Sequence, residues 1–330
     1  MIPQILLLSH AFAAPPPIVN GTPTSDHIAV GVLVACSNQG CVNYCSGTLI
    51  ASQWMLTAAH CAEAAFGDYS SYDHYFSVGR DLDNIVDYRY IRSWELHPDY
   101  GYFQSTLVYD FALGELESDF TGVTPIAVNR SSVNNSWIDQ DVTYVGYGAT
   151  SDNGGGSGTK RTADIPIYDY DSFLLYTYDP SGQQNVCYGD SGGAALWYDG
   201  SQYVLAGVNS FVYPGCAQGA AGAGRVDSAI SWIEEFVDLS AGPSTEPSSE
   251  PSSEPSSEPG SEPGSEEPSD EYDTAIDWDE SDENETNQED VKEVRVDDFN
   301  PKLFGCQATP TKWSWFWMLL PFGYAFRRKN

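Results

Sequence analysis

The pentapeptide Gly189-Asp190-Ser191-Gly192-Gly193 decides how this chain of 330 residues is interpreted. It places a serine in a glycine-flanked turn, where the main-chain N–H groups of Gly189 and Ser191 could point at one position and stabilise an oxyanion. Such a pentapeptide is also typical of a tight loop without chemistry, because glycine and serine are common turn residues. Its meaning therefore depends on other motifs.

Two further motifs supply the partners that a serine nucleophile needs. Thr57-Ala58-Ala59-His60-Cys61 places a histidine after an apolar stretch, and Tyr109-Asp110-Phe111-Ala112-Leu113 places an acid among apolar residues. A serine hydroxyl is a weak nucleophile that needs a base, and the base needs an acid that fixes its tautomer and stabilises its charged form. A lone histidine is usually structural, but His60, Asp110 and Ser191 together fill all three catalytic roles.

The order histidine, aspartate, serine resembles the chymotrypsin/trypsin family of serine endopeptidases, because other serine hydrolase folds order these residues differently. The resemblance covers residues 18–241, about two thirds of the chain, and includes Ile18-Val19-Asn20-Gly21, Trp54-Met55-Leu56-Thr57, His97-Pro98-Asp99-Tyr100 and Ser231-Trp232-Ile233. It implies an enzyme that hydrolyses protein or peptide substrates through an acyl-enzyme intermediate. No cofactor and no metal are expected, and calcium binding after Gly79, where Asp81, Asp83 and Asp87 cluster, is the alternative that family analogy leaves open. Gly189 and Ser191 would form its oxyanion hole.

Short β-branched or aromatic runs predict strands rather than helices. Residues 28–35, 143–147 and 203–208 are such runs, and clusters of Gly, Asn, Asp and Ser separate them. We therefore expect an all-β domain. The family resemblance implies two antiparallel six-stranded β-barrels with the active site at their cleft, followed by a short C-terminal helix.

Six of the seven cysteines are expected to form disulfides. The resemblance implies two pairs around the histidine and serine loops, and close spacing suggests a third: Cys45–Cys61, Cys187–Cys216 and Cys36–Cys41. A reduced state is the alternative, but disulfides are typical of exported proteins. Cys306 has no evident partner.

The N-terminus predicts export and raises a question about activation. Residues 1–13 have the apolar core and small-residue cleavage pattern of a signal peptide but lack an early Lys or Arg, and residues 14–17 form a short pro-segment. The resemblance implies that cutting before Ile18 frees an amine that pairs with Asp190 and shapes the oxyanion hole. The residues before this cut are Ala14-Pro15-Pro16-Pro17, with no basic residue. The alternative function is therefore a catalytically silent, zymogen-like surface binding or adhesion protein.

The resemblance also assigns residues to the pocket that holds the side chain before the scissile bond, the P1 residue. Asn185 would lie at its base, Ser210-Phe211-Val212 would bind the substrate backbone, and Ala221 would occupy a second wall. Asparagine carries no charge to pair with Lys or Arg, and Val212 narrows the pocket. We expect a small or medium uncharged P1 residue.

The charge of the chain excludes some partners. The chain has 47 acidic residues and 14 Lys and Arg, giving a net charge of −33. This rules against nucleic acid or an anionic membrane surface as the main partner. Residues 18–242 are themselves acidic, which fits a solubility adaptation, a salty habitat or a preference for cationic substrates. A monomer is expected.

The sequence changes character after residue 242. Residues 243–300 contain Pro-Ser-Ser-Glu and Pro-Gly-Ser-Glu repeats and an acidic run, which predict a disordered linker. Residues 301–330 contain an apolar, aromatic segment at 313–326, followed by Arg327-Arg328-Lys329. This end resembles a bacterial, myxobacterial-type C-terminal sorting signal, in which Cys306 would be processed or lipidated. A plain membrane tether and a disordered sticky tail are alternatives, so we expect a secreted or surface-retained protein.

Overall fold

A computed structural model of the chain describes residues 18–216 and 218–239. The expectations for the signal peptide, the pro-segment, the acidic linker, Cys306 and the C-terminal segment concern residues outside these ranges. Within them, the predicted all-β fold is confirmed. In the same ranges no helix is both long enough and apolar enough to cross a membrane.

The first half of the fold is a closed antiparallel barrel. In chain order, the strands in this half of the chain are β1 (Thr22–Pro23), β2 (Val30–Ser37), β3 (Gly40–Ala51), β4 (Trp54–Thr57), β5 (Asp73–Gly79), β6 (Ile85–Leu96), β7 (Gly101–Phe103), β8 (Thr106–Val108) and β9 (Ala112–Leu116). Six strands close the barrel in the order β2-β3-β4-β9-β6-β5, and β7 pairs with β8 as a separate hairpin. Leu33, Leu49, Leu56, Phe76 and Leu113 fill the barrel and are fully buried.

The second half is a similar barrel with one extra strand. Its strands are β10 (Asp141–Gly146), β11 (Arg161–Tyr170), β12 (Leu174–Thr177), β13 (Ala194–Tyr198), β14 (Tyr203–Tyr213) and β15 (Ala220–Arg225). They are ordered β11-β10-β13-β14-β15-β12, the pairing of β11 with β12 closes the ring, and β1 adds to the edge of β11. In β11, Ala163, Ile165 and Ile167 alternate inward, as expected for a strand with one buried face.

Two α-helices and two short 3₁₀-helices, Asn135–Trp137 and Val226–Ser228, complete the described fold. Helix α1 (Ala59–Phe66) follows β4, and helix α2 (Ile230–Ile233) follows the last strand. Trp232 and Ile233 of α2 belong to the hydrophobic cluster that contains the core of the first barrel and also Leu196 and Leu205 of the second. The predicted two-barrel architecture with a short C-terminal helix is therefore confirmed.

Tyr147 joins the two barrels at their cleft. It directly follows β10, is fully buried, and its hydroxyl lies 2.6 Å from Gly79 O and 3.2 Å from Val30 O in the first barrel. A buried hydroxyl needs such partners, because an unpaired one would cost about 1–3 kcal/mol. Tyr147 thus fixes how the serine-bearing barrel faces the histidine-bearing barrel.

Lys160, which precedes β11, is fully buried. Its Nζ donates a hydrogen bond to His27 O at 3.2 Å. Burial lowers the pKa of Lys160 to about 8, although the negative charge of Asp26 acts to raise it. The side chain therefore serves as a structural link between the segment before β2 and the start of β11.

Candidate active site

The three expected catalytic side chains come from separate parts of the fold. His60 is the second residue of α1 and belongs to the first barrel's region. Asp110 lies between β8 and β9, and Ser191 lies in the turn that precedes β13. The sequence predicts a loop around His60, whereas the structure places this residue in a helix.

Asp110 holds His60 through two hydrogen bonds. His60 Nδ1 lies 2.8 Å from Asp110 Oδ2, and the main-chain N–H of His60 donates to Asp110 Oδ1 at 3.0 Å. The Asp110 side chain is 1% exposed and that of His60 is 32% exposed. Burying an unpaired carboxylate would cost free energy, so these hydrogen bonds both stabilise Asp110 and orient the imidazole.

Ser210 provides a third donor to the same carboxylate. Its hydroxyl donates to Asp110 Oδ2 at 2.6 Å and is itself buried. From the sequence, Ser210 is expected only to bind the substrate backbone. Its contact with Asp110 is a tertiary one, between residues 100 positions apart, and no local motif indicates it.

The pKa of His60 is raised above its usual value of 6.5. Burial by itself lowers the pKa, but the hydrogen bond and the negative charge of Asp110, with the charge of Glu63, outweigh burial. Glu63 lies one turn further along α1 and accepts a hydrogen bond from the Tyr100 hydroxyl at 2.8 Å. The protonated imidazole that forms when a base accepts a proton is therefore stabilised.

The main chain around Ser191 leaves two donors free. Gly189 has a φ of +93° and Gly192 a φ of +77°, a region that favours glycine. A side chain at Gly192 would also collide with Thr57 and the main chain of Ser46. Among the described residues, the N–H groups of Gly189 and Ser191 and the Ser191 hydroxyl make no hydrogen bond.

Ser46 is a site residue that the sequence analysis missed. It is fully buried in β3, its hydroxyl donates to Gly189 O at 2.9 Å, and the same oxygen accepts from Tyr147 N at 3.0 Å. Its own N–H donates to Ser191 O at 2.8 Å. Ser46 therefore fixes the serine turn against the first barrel, and no sequence signal distinguishes it from other strand serines.

The structure contains the three expected disulfides. Cys45–Cys61 joins β3 to the residue after His60, Cys187–Cys216 joins the serine turn to the segment before β15, and Cys36–Cys41 closes the β2–β3 hairpin. The group Cys45, His60 and Cys61 could be mistaken for a metal site among the described residues. Two of these three are disulfide sulfurs rather than thiolates, so the group does not suit a metal ion.

Comparison with known proteins identifies the family. The trypsin family model matches residues 18–233. The chain belongs to the trypsin family. It is 28% identical to a trypsin of Simulium vittatum over 64% of this chain and 91% of the relative. It is 31% identical to brachyurin of Leptuca pugilator, over 58% of this chain and 86% of that protein.

A mammalian relative gives the same assignment. The chain is 28% identical to chymotrypsin-like elastase family member 1 of Bos taurus, over 58% of this chain and 78% of the elastase. With the trypsin-family match, this makes the chain a chymotrypsin-like serine endopeptidase whose substrates are proteins. The three disulfides fit an extracellular protein.

A cavity of about 230 Å³ opens beside Ser191 in this trypsin-family domain. Its lining is entirely uncharged and includes Val186, Tyr188, Asn209, Phe211 and Val212. Asn185, the expected base of the pocket, is buried but is not among the lining residues of this cavity, and its main-chain oxygen accepts from Val19 N at 2.8 Å. Ala221 lies opposite Val212 in the β14–β15 ladder. Asn209 belongs to no motif identified in the sequence.

Asp190 is fully buried behind the serine turn. Its carboxylate accepts from Gly148 N at 2.7 Å and from Cys187 N at 2.8 Å. Burial raises its pKa to about 7, although both hydrogen bonds and the charge of Arg161 oppose the shift. Ile18 is also fully buried. A cation next to Asp190 would favour its ionised form.

Proposed function

We propose that Ser191, His60 and Asp110 form the catalytic triad of this endopeptidase. The observation that carries the proposal is the pair of hydrogen bonds from His60 to the buried Asp110, with Nδ1 2.8 Å from Oδ2. This pair fixes the tautomer with the proton on Nδ1, so Nε2 is free to accept a proton. A histidine with a purely structural role would not need two hydrogen bonds to a buried carboxylate beside a serine turn whose two N–H groups are free.

In the proposed reaction, Ser191 Oγ attacks the substrate carbonyl while His60 Nε2 takes its proton. The N–H groups of Gly189 and Ser191 hold the oxyanion that forms. His60 then gives the proton to the leaving amine, which leaves an acyl-enzyme on Ser191. Water, activated by His60, releases the acid and restores the hydroxyl.

A serine-directed organophosphorus probe tests this assignment. We expect the active enzyme to be labelled at Ser191, as mapped by mass spectrometry, and Ser191→Ala to remain unlabelled. Heat-unfolded enzyme is the control, because it keeps the serine but loses the geometry. Absence of labelling in the folded, N-terminally processed enzyme would instead support the catalytically silent binding protein.

We propose that the mature enzyme begins at Ile18 and that its amine pairs with Asp190. The burial of both residues and the raised pKa of Asp190 support this pairing, since a nearby cation would stabilise the carboxylate. The mature protease domain would then span residues 18–242. N-terminal sequencing of active enzyme checks the proposal, and any other first residue contradicts it.

We infer that the enzyme cleaves after an uncharged P1 residue. The uncharged lining of the cavity beside Ser191 supports this, because a buried Lys or Arg side chain would lack a counter-charge. For two peptides that differ only at P1, we expect kcat/KM to be at least about 100-fold lower with Arg than with Val. A preference for Arg would contradict the pocket assignment.

We also propose that the protease is monomeric. We further propose that residues 301–330 retain it at the cell surface, with residues 243–300 as a spacer. The apolar segment at 313–326 and the basic Arg327-Arg328-Lys329 support this, because basic residues favour the cytoplasmic side of a membrane. In the host, we expect full-length protein in the cell-envelope fraction and a variant truncated after residue 242 in the medium. Soluble full-length protein that still contains Phe326 would contradict the proposal.

A further inference from the structure

Tyr109, the residue before Asp110, has a backbone conformation that is unusual for its residue type. Its φ is +49°, in the left-handed region that favours glycine, where a bulky residue is an outlier. The main-chain N–H of Phe111 donates to Tyr109 O at 2.8 Å, which closes a tight three-residue turn around Asp110. Such strained conformations persist only where the surrounding structure holds them. Contacts around Tyr109 must therefore stabilise this turn.

His97, which directly follows β6, contacts both neighbours of Asp110. Its ring lies parallel to that of Tyr109, with 4.4 Å between the ring centroids and 9° between the ring planes. Its main-chain N–H donates to Phe111 O at 2.9 Å. His97 is 6% exposed, and the ring centroid of Trp232 lies 5.0 Å from its own. Close packing therefore fixes the position of the ring on which Tyr109 stacks.

The Tyr109 ring also contacts the second barrel. The ring of Phe173, in the turn between β11 and β12, meets it at 71° with 5.2 Å between the centroids. Phe173 is itself tied to β15, because its main-chain oxygen accepts from Arg225 N at 2.8 Å. Stacked and edge-to-face aromatic pairs both stabilise a fold. Tyr109 is thus held from both barrels, and the Asp110 carboxylate lies between the same barrels, where it accepts from Ser210.

We propose that Tyr109 is a positioning residue for catalysis, because the stacking of its ring on His97 holds the backbone turn that presents Asp110 to His60. This proposal rests on the function proposed above, since the orientation of Asp110 affects catalysis only if His60 is the base. Without the ring, the backbone at position 109 relaxes and the carboxylate moves from His60 Nδ1, which now lies 2.8 Å from Oδ2. A displacement of about 1 Å can cost about 100-fold in rate.

The first test measures kcat and KM in variants of Tyr109. Tyr109→Ala removes the ring and leaves a residue that disfavours a positive φ, so we expect kcat to fall by about 10- to 100-fold. Because the ring acts through Asp110 and not on the substrate, KM should change by less than about 3-fold. Tyr109→Phe keeps the stacked ring and should retain kcat to within about 3-fold. Tyr109→Leu, which is apolar but not flat, takes the place of Tyr109→Ala if that variant does not fold.

The pH profile separates positioning from a general loss of stability. His60 acts as a base only when neutral, and the hydrogen bond and charge of Asp110 raise its pKa. A carboxylate that has moved away raises this pKa less, so the acid limb of the kcat/KM profile should move to lower pH in Tyr109→Ala. It should stay in place in Tyr109→Phe. Glu63, whose charge also raises the pKa of His60, is unchanged in both variants.

Protonation of His97 occurs at lower pH than protonation of His60. Burial lowers the pKa of His97, although the charges of Asp99 and Glu235 act to raise it, whereas the pKa of His60 is raised. The acid limb of the wild-type profile therefore reports the protonation of His60.

Tyr203→Ala is the matched control, because it removes another contact between a tyrosine ring and a histidine ring. Tyr203 meets His27 with 5.1 Å between centroids at the start of β14, whereas Ser210 lies near the other end of that strand. This variant should keep both kcat and the acid limb of the wild type. A shift of its acid limb equal to that of Tyr109→Ala would contradict a specific role for Tyr109.

The organophosphorus probe separates failure of this inference from failure of the proposed function. A folded, processed wild-type enzyme that does not react with the probe overturns the function. A reactive enzyme in which Tyr109→Ala keeps the wild-type kcat, or keeps the wild-type acid limb, overturns the positioning role. Loss of activity in Tyr109→Phe equal to that in Tyr109→Ala does so too, because the stacked ring is then not what matters.

Discussion

Ser191→Ala is expected to lower kcat for peptide hydrolysis by about 10⁶-fold, and His60→Ala by a similar factor. Without the Ser191 hydroxyl no acyl-enzyme can form, and without His60 the hydroxyl keeps its proton. Because the two side chains act in one step, the double variant should be at most about 10-fold slower than either single variant. Rates measured with the best available peptide, with active sites titrated in the wild type, check this.

The non-additivity separates a triad from two independent contributions. Independent effects would multiply, and the double variant would then lose far more activity than either single variant. Some acceleration over the uncatalysed reaction should remain in all three variants, because the N–H groups of Gly189 and Ser191 are unchanged. Circular dichroism and thermal unfolding are the controls. They should show that replacing the partly exposed His60 and Ser191 leaves the fold intact.

Asp110→Asn is expected to lower kcat/KM by about 10⁴-fold. Asp110 accepts from three donors, of which the main-chain N–H of His60 cannot reorient. The new amide must therefore keep its oxygen on that N–H and turn its NH₂ group toward Nδ1 and Ser210. The imidazole then carries its proton on Nε2, where it cannot accept the proton of Ser191.

The same substitution should change the pH dependence. His60 acts as a base only when neutral, so activity falls as the pH drops through its pKa, which Asp110 raises against the effect of burial. Removing the Asp110 charge lowers that pKa, so the acid limb of the kcat/KM profile should move to lower pH. Ser210→Ala keeps the carboxylate and is the matched control, with a loss of about 10-fold. An acid limb that stays in place in Asp110→Asn would contradict this role.

Much of the fold and the candidate site follows from short, local features of the sequence. The glycine-flanked serine, the histidine beside Cys61 and the acid among apolar residues are each visible within five positions, and their order indicates the family. The structure confirms the two barrels, and it brings His60 and Asp110 into direct contact. The β-branched or aromatic runs at residues 28–35, 143–147 and 203–208 are similarly local signals, and the structure places β2, β10 and β14 there.

The contacts that the sequence analysis missed depend on distant parts of the chain. Ser46 meets Gly189 across 143 positions, and Ser210 meets Asp110 across 100. A serine in a strand has no local property that reveals such a partner. Asn209, which lines the cavity and donates to Asp190 O, was missed for the same reason.

The burial of Lys160 has a practical consequence for chemistry at the protein surface. It is the one lysine between residues 18 and 239, so the folded domain presents no lysine amine to acylating reagents in this range. Its Nζ becomes reactive only when the segment around His27 separates from β11. Acylation of Lys160, followed by mass spectrometry, therefore reports how often this junction opens. Proteases that cut after lysine meet the same barrier.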